Sequence, residues 1–318
     1  MLEPMSRIYL AAGDHVIGEA LLNVLAARGF TAVAGGDRTP DPTNSEALSK
    51  FFASFRPEYV IVAGGESGGI GLNQRHPARL MRDNLGIALA VMQAAYVKGV
   101  DKLVYLGSSC GYPRECPQPM KEEDLFTGAV EPTSAAYAYA KLAGIQLCQA
   151  YRREFGVNFV SAIPANEFGP GDCFEPDDAH VVAALIRRMH DAKEAGAPGV
   201  EVWGSGEPVR DFIFSHDLAE ALLLVLDKYE DIEPINVGSG HGQTIRELAE
   251  TVREVVGFEG ELMFNTSKPD GMPCKVLDSS KIRALGWSPQ TPLRDAIAKT
   301  YAWYREKLVN SVSSEGPE

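Results

Sequence analysis

The stretch "YAYAK" sets Tyr137 and Lys141 four residues apart in a helical pattern. Residues at that spacing share one helix face. An ammonium beside a phenol lowers the phenol's pKa, and a phenol tuned in this way can give or take a proton near neutral pH. Upstream, "YLGSSCGYP" closes an apolar, β-rich run with Ser108, Ser109 and Cys110. A hydroxyl at a strand end can hydrogen-bond a substrate carbonyl. Taken singly, these residues also have plain readings: a helical Tyr/Lys surface pair, an ordinary serine turn and, for Cys110, a small buried hydrophobe. His180 follows "PDDA" directly before a helical pattern, so alone it reads as a loop or N-cap residue. Their combination in one alternating chain favours the chemical reading.

The elements that must carry these residues alternate in type. "RIYLAA", "TAVAG", "YVIVAGG", "KLVYLGS" and "VNFVSAIP" read as strands, and 16–28, 45–55, 78–98 and 134–155 as helices. This order predicts an α/β fold with a Rossmann-type doubly wound parallel sheet, its ligands at the carboxyl ends of the strands. After Pro164 the texture changes. "ANEFGPGDCFEPDDAH" reads as a long functional loop. A helix over 181–193 follows, then "GVEVWGSGEPVRDFIF" as two short strands around a glycine turn. The expected division is a dinucleotide-binding domain over 1–164 and a smaller α/β substrate lobe over 165–318, with some segments returning to the first domain.

Composition narrows the function classes. The 318 residues are 45% hydrophobic, ordinary for a globular protein. No apolar run reaches membrane-span length and the first residues are no signal peptide, so a soluble, cytoplasmic protein without a membrane partner is expected. A net charge of -13 argues against nucleic acid as a partner, and an anionic ligand would need a local basic cluster. Five irregularly spaced cysteines suggest free thiols. With neither CxxC nor HExxH in the chain, no metal is expected.

From about residue 50 onward the chain resembles the extended short-chain dehydrogenase/reductases. Within them it is similar to the GDP-L-fucose synthase group of 3,5-epimerase/4-reductases acting on GDP-linked 4-keto-6-deoxy sugars. The resemblance rests on "LGSSCGYP", "EPTSAAYAYAKLAGIQLC", "NEFGPGDCFEPDDAHVVAALIRRMHDA", "VEVWGSGEPVRDFIFSHDLAEA", "INVGSGHGQTIRELAE" and "SKPDGMPCKVLD". It implies that Ser108, Tyr137 and Lys141 carry a reduction and that Cys110 and His180 are an epimerisation acid/base pair. It also implies that Arg188, Trp203, Arg210 and Asp270 bind substrate, and that Lys141, Pro164 and Asn166 line the cofactor. A homodimer through the two long helices is implied as well. The residue chemistry agrees. A 4-keto group acidifies the protons at C3 and C5, and inverting those centres needs a base on one face and an acid on the other; cysteine and histidine suit both roles. An arginine can hold diphosphate oxygens in a fork. Trp203 offers an apolar plane or an indole N–H, and Asp270 an acceptor for guanine or ribose. Cys274, beside Lys275, stands where the group carries a basic residue.

One segment departs from the pattern. A glycine fingerprint G-x-x-G-x-x-G is expected where residues 12–18 read "AGDHVIG". The glycines serve a tight turn, close approach of a pyrophosphate and close packing. Only Gly18 remains. Ala12 is acceptable if its φ is negative, His15 places a ring where close approach is wanted, and the Asp14 carboxylate repels phosphate. Asp37 suits a ribose 2'-hydroxyl and Arg38 the 2'-phosphate of NADP, leaving NADP(H) and NAD(H) both open. The glycines of "VAGGESGGIG" suggest a rebuilt adenine side, and Glu167 in "PANEFGP" stands where an apolar residue is usual. Three readings follow: an NADP-dependent epimerase/reductase with a serviceable loop; an epimerase that has lost or altered its cofactor; and a non-catalytic nucleotide-sugar binder. Retention of Ser108, Cys110, Tyr137, Lys141 and His180 together argues against the third, and the first is preferred. The sugar is open between a hexose and a heptose.

Overall fold

The computed structural model describes residues 2–36, 39–176 and 178–314, with side chains through residue 310; Asp37 and Arg38 lie outside the described residues. In the first part of the chain β1 (Ile8–Ala11), α1 (Val16–Ala27), β2 (Val33–Ala34), α2 (Ser45–Phe55), β3 (Tyr59–Val62), α3 (Ile70–Arg75), α4 (Pro77–Lys98), β4 (Lys102–Leu106), α5 (Ala135–Phe155) and β5 (Phe159–Pro164) follow one another. Every residue of β1, β4 and β5 is buried, as in a parallel sheet covered on both faces. Helix starts follow local chemistry. The Asn44 side chain accepts from the Ala47 N–H to open α2, and Pro77 sits in the first turn of α4.

The remaining elements are β6 (Asn166–Phe168), α6 (Val181–Glu194), β7 (Gly199–Trp203), β8 (Val209–Phe214), α7 (Ser215–Lys228), β9 (Ile235–Val237), β10 (Gly242–Thr244), α8 (Ile245–Val256), β11 (Glu261–Asn265), β12 (Cys274–Lys275), α9 (Ser280–Ala284) and α10 (Leu293–Ser314). The main sheet runs β2-β1-β3-β4-β5-β9, with every pairing parallel. Chain order reverses between β1 and β3, and a crevice opens at such a switch point. The loops after β1 and β3 flank it.

A second apolar cluster gathers Phe168, Phe174, the inner faces of α6 and α8, and residues of α10, apart from the core around the main sheet. Helix α8 opens on a reciprocal cap, in which Thr244 Oγ1 accepts from the Glu247 N–H and Glu247 Oε2 accepts from the Thr244 N–H. The two strands expected around a glycine turn, β7 and β8, do form, but in different sheets. β7 pairs with β11, while β8 pairs with β6, β10 and β12. The connection between them is held from outside. The Arg246 N–H donates to the Gly206 carbonyl, and Asp270 accepts from the Ser205 N–H at 2.8 Å.

Candidate active site

Strand β4 ends at Leu106, and the chain continues into Ser108 and a short 3-10 turn at Ser109–Gly111. Ser108 Oγ accepts from the Cys110 N–H at 3.2 Å, which leaves its own O–H free to donate. A side-chain hydrogen bond joins Ser108 to Tyr137 on the first turns of α5. Tyr137 is half-buried on the cavity wall, and the burial of its phenol pushes the pKa well above the ordinary value, with Glu167 adding in the same direction. This differs from the expected lowering by Lys141. The cause is where the ammonium points. Lys141 Nζ is 5.9 Å from the Tyr137 ring centre and donates to the carbonyls of Leu106 (3.0 Å) and Gly64 (3.3 Å) at the ends of β4 and β3. Burial lowers Lys141 to about 8, opposed by Glu167.

His180 is the residue before α6, with extended backbone and no side-chain capping bond. Its ring is therefore not used to cap the helix. The loop after β3 pins the segment in front of it: the Gly69 N–H donates to the Asp178 carbonyl at 2.9 Å. A side chain on Gly69 would meet the Ala179 carbonyl oxygen at 2.7 Å, so the approach requires glycine. Asp172 lies in the electrostatic reach of His180. Burial raises its carboxyl to about 6 against that pull, and its Oδ2 has no hydrogen-bond partner.

Ser108, Cys110, Tyr137 and His180 line one cavity of about 300 Å³ together with Asn166, Arg188, Trp203, Arg210 and Asp270. Arg188 lies two turns beyond His180 on α6, with its guanidinium 4.9 Å from the Trp203 ring centre. Lys268 covers the same ring at 4.8 Å. Arg210 donates to the carbonyls of Val209 and Asp270. Two of these residues also have partners within the protein. Both Asp270 carboxylate oxygens accept from Ser205, and the Asn166 amide donates to the Asp211 carbonyl at 2.9 Å. Pro164 ends β5 in parallel register with Val237.

The altered glycine loop lies outside that cavity, at the β1/β3 switch point. Ala12 has φ +51°, so the condition under which alanine was acceptable there, a negative φ, is not met. The chain keeps the left-handed turn that glycine favours and carries an alanine through it. Gly18 packs onto the loop itself, since a Cβ there would fall 1.9 Å from the Gly13 carbonyl oxygen. Asp14 and His15 are exposed and face each other, with Asp14 Oδ1 3.5 Å from His15 Nε2. The His15 ring edge lies 3.2 Å from the Cβ position of Gly64, across the crevice mouth. In the "ESGGIG" segment, Ser67–Gly71 line the same cavity as His180.

A model of the NAD dependent epimerase/dehydratase family matches residues 13–238. The chain belongs to this family. Among its epimerase/dehydratase relatives, GDP-L-fucose synthase 1 of Arabidopsis thaliana is 45% identical over 311 residues, covering 98% of this chain and 96% of the relative. The GDP-L-fucose synthase of Escherichia coli is 41% identical over 312 residues, covering 94% and 97%. A GDP-6-OMe-4-keto-L-xylo-heptose reductase from C. jejuni superposes with a TM-score of 0.90 at 32% identity, covering 96% of this chain and 99% of that one. A GDP-L-fucose synthetase from Naegleria fowleri bound to NADP gives 0.88 at 28% identity, covering 97% of each. The epimerase/dehydratase fold and a nicotinamide cofactor agree with the parallel sheet and its switch point.

Sequence reasoning passed over several lining residues. Lys275 Nζ lies 3.7 Å from Cys110 Sγ, although 165 positions separate the two in the chain. Glu131 and Thr133 line the wall beside Tyr137, with the Glu131 carboxylate accepting from both the Thr133 N–H and hydroxyl. The glycine run at 68–71 was visible, but nothing local showed which loop it would meet. Among the described residues, no cluster of His, Cys, Asp and Glu suits a metal, and no helix is long and apolar enough to cross a membrane.

Proposed function

We propose that this protein is a GDP-sugar 3,5-epimerase/4-reductase that acts on a GDP-linked 4-keto-6-deoxy sugar and uses NADP(H). The observation that carries this reading is the convergence of Ser108, Cys110, Tyr137 and His180 on one cavity that Arg188, Trp203 and Arg210 also line. The relatives named above support the GDP-linked substrate class, and the NADP-bound Naegleria fowleri protein supports the cofactor.

The residues at the switch point fit a dinucleotide. The N-terminus of α1 has no side-chain capping bond at His15, so its first amides are available to an anion. The loop keeps a glycine-like path at Ala12 and carries no side chain at Gly13. When bound, the cofactor supplies hydride to C4. Tyr137 delivers the proton to the C4 oxygen, and Ser108 orients that carbonyl. Lys141 holds positive charge behind them at neutral pH. Cys110 and His180 exchange protons at C3 and C5, one taking a proton from one face while the other gives one to the opposite face. Arg188 and Arg210 bind the diphosphate, and Trp203 borders the nucleotide end.

This reading includes a homodimer through α4 and α5, supported by exposed Leu89, Val97 and Tyr139 on those helices. It places the enzyme in the reducing cytoplasm, supported by five free cysteines and the need for a free Cys110 thiol. The test is oxidation of NADPH by the purified protein with GDP-4-keto-6-deoxymannose, compared with a UDP-linked 4-keto sugar. Turnover of the GDP-linked compound is expected. Turnover of only the UDP-linked compound, or of neither, overturns the reading.

A further inference from the structure

Cys110 does not stand in an ordinary thiol environment. Three charged or titratable groups face it from three different elements: Tyr137 from α5, Arg210 from β8 and Lys275 from β12. Among the described residues Lys275 is the one of these that approaches the sulfur directly, with Nζ 3.7 Å from Sγ. The Arg210 guanidinium is held by the carbonyls of Val209 and Asp270. Lys275 is buried, and among the described residues it has no carboxylate as an ion-pair partner. Its position is fixed from the backbone. Lys275 pairs with Arg210 in the parallel register of β12 on β8. The Gln118 side chain donates to the Cys274 carbonyl at 3.2 Å and accepts from the Val276 N–H at 3.0 Å, clamping the strand on both sides of Lys275. A buried ammonium held against a sulfur, with no carboxylate among the described residues beside it, is matched to a negative charge on that sulfur.

We infer that Lys275 is the counter-ion of the Cys110 thiolate, so that Cys110 serves as the charged member of the proton-exchanging pair. This rests on the proposed role of Cys110. The step balances simply. The thiolate takes a proton from the carbon next to the keto group and becomes a thiol, the electron pair passes into the enolate, and the proton returned to the opposite face comes from His180. The thiol then gives its proton to solvent water and His180 takes one from it, which restores the thiolate beside the Lys275 ammonium for the second ring carbon.

The test separates the charge from the catalysis. Iodoacetamide alkylation of Cys110 in the cofactor-free protein, followed by mass spectrometry of the Cys110 peptide, is measured from pH 6 to pH 10 for wild type, Lys275→Gln and Lys275→Arg. The Gln variant is expected to react about tenfold more slowly at neutral pH and to recover at high pH. The Arg variant should stay near wild type, which also shows that β12 still pairs with β8. Equal rates for wild type and Lys275→Gln across the whole range overturn the inference. Solvent-deuterium exchange into the GDP-keto sugar is then compared for Lys275→Gln and Cys110→Ser. A slowed alkylation with unchanged exchange in both variants upholds the ion pair and removes Cys110 from the proposed reaction.

Discussion

Asp14 is the residue most at odds with a pyrophosphate site, so the substitution Asp14→Arg has a predictable sign and size. Its side chain is 66% exposed, which places its charge in water rather than in protein. For a side chain in the loop entering α1 and phosphates at that helix N-terminus, a separation of roughly 7 Å gives about 0.6 kcal/mol per charge pair in water. Two phosphate charges make this about 1.2 kcal/mol of repulsion, and reversing the sign changes the binding energy by about 2.4 kcal/mol before screening. A Debye length near 8 Å cuts that to about 1 kcal/mol, or about fivefold in affinity for NADPH. Asp14→Asn should give about half the energy, or roughly twofold. Asp14 also faces His15, so either change releases that ring. Calorimetric titration with NADPH at low, physiological and about half-molar salt reads the effect, and the gain should shrink steadily as salt rises. A gain that does not depend on salt, or none at any salt, refutes the electrostatic reasoning. The loop would then be held off by its backbone path at Ala12 rather than by charge.

Replacing Tyr137 with Phe should cut NADPH oxidation by about 10²–10⁴-fold while deuterium exchange at C3 and C5 continues, because the phenol serves the C4 oxygen; parallel loss of both, read by absorbance and by NMR, contradicts that division. Cys110→Ser and His180→Asn should each lose exchange, since a hydroxyl is far less acidic than a thiol and an amide does not titrate; normal deuterium incorporation in both removes them from the mechanism. Lys141 is lowered in the folded protein to about 8 from 10.5, so between those values the unfolded chain binds the extra proton and stability rises with pH. Urea midpoints of wild type should therefore rise between pH 8 and pH 10 relative to Lys141→Met, and a flat difference between the two proteins shows that Lys141 carries no such penalty. Over the same range reduction should decline as Lys141 loses its charge.

Much of this was legible in local patterns. The i, i+4 spacing of Tyr137 and Lys141 put both on one side of α5, and the strand running into Ser108 was a continuous apolar run, so their meeting followed from the alternation of elements. Helix α2 begins at the expected residue because Asn44 caps it within the local sequence, and ends at the expected residue where Arg56 turns into the left-handed region. What escaped was set by distant partners. The Lys141 ammonium turns to the main-chain carbonyls of Gly64 and Leu106, which no helix pattern reveals. The positive φ of Ala12 follows from the exit of β1 beside β3, where tertiary packing overrides the preference of alanine. β7 and β8 look like one hairpin locally, yet β11 and β12, which lie more than sixty residues further on, pull them into separate sheets. Lys275 escaped for the same reason, being brought to Cys110 only by its strand pairing with β8.

The central claim is that one cavity both exchanges protons at two ring carbons and reduces the ketone between them. The measurement that tests it most directly is NMR of the product formed from GDP-4-keto-6-deoxymannose and NADPH in deuterium oxide. The account predicts a reduced sugar inverted at C3 and C5, with solvent deuterium at both carbons and hydride from the cofactor at C4. Reduction without deuterium at C3 or C5, or recovery of unchanged substrate with NADPH intact, contradicts it.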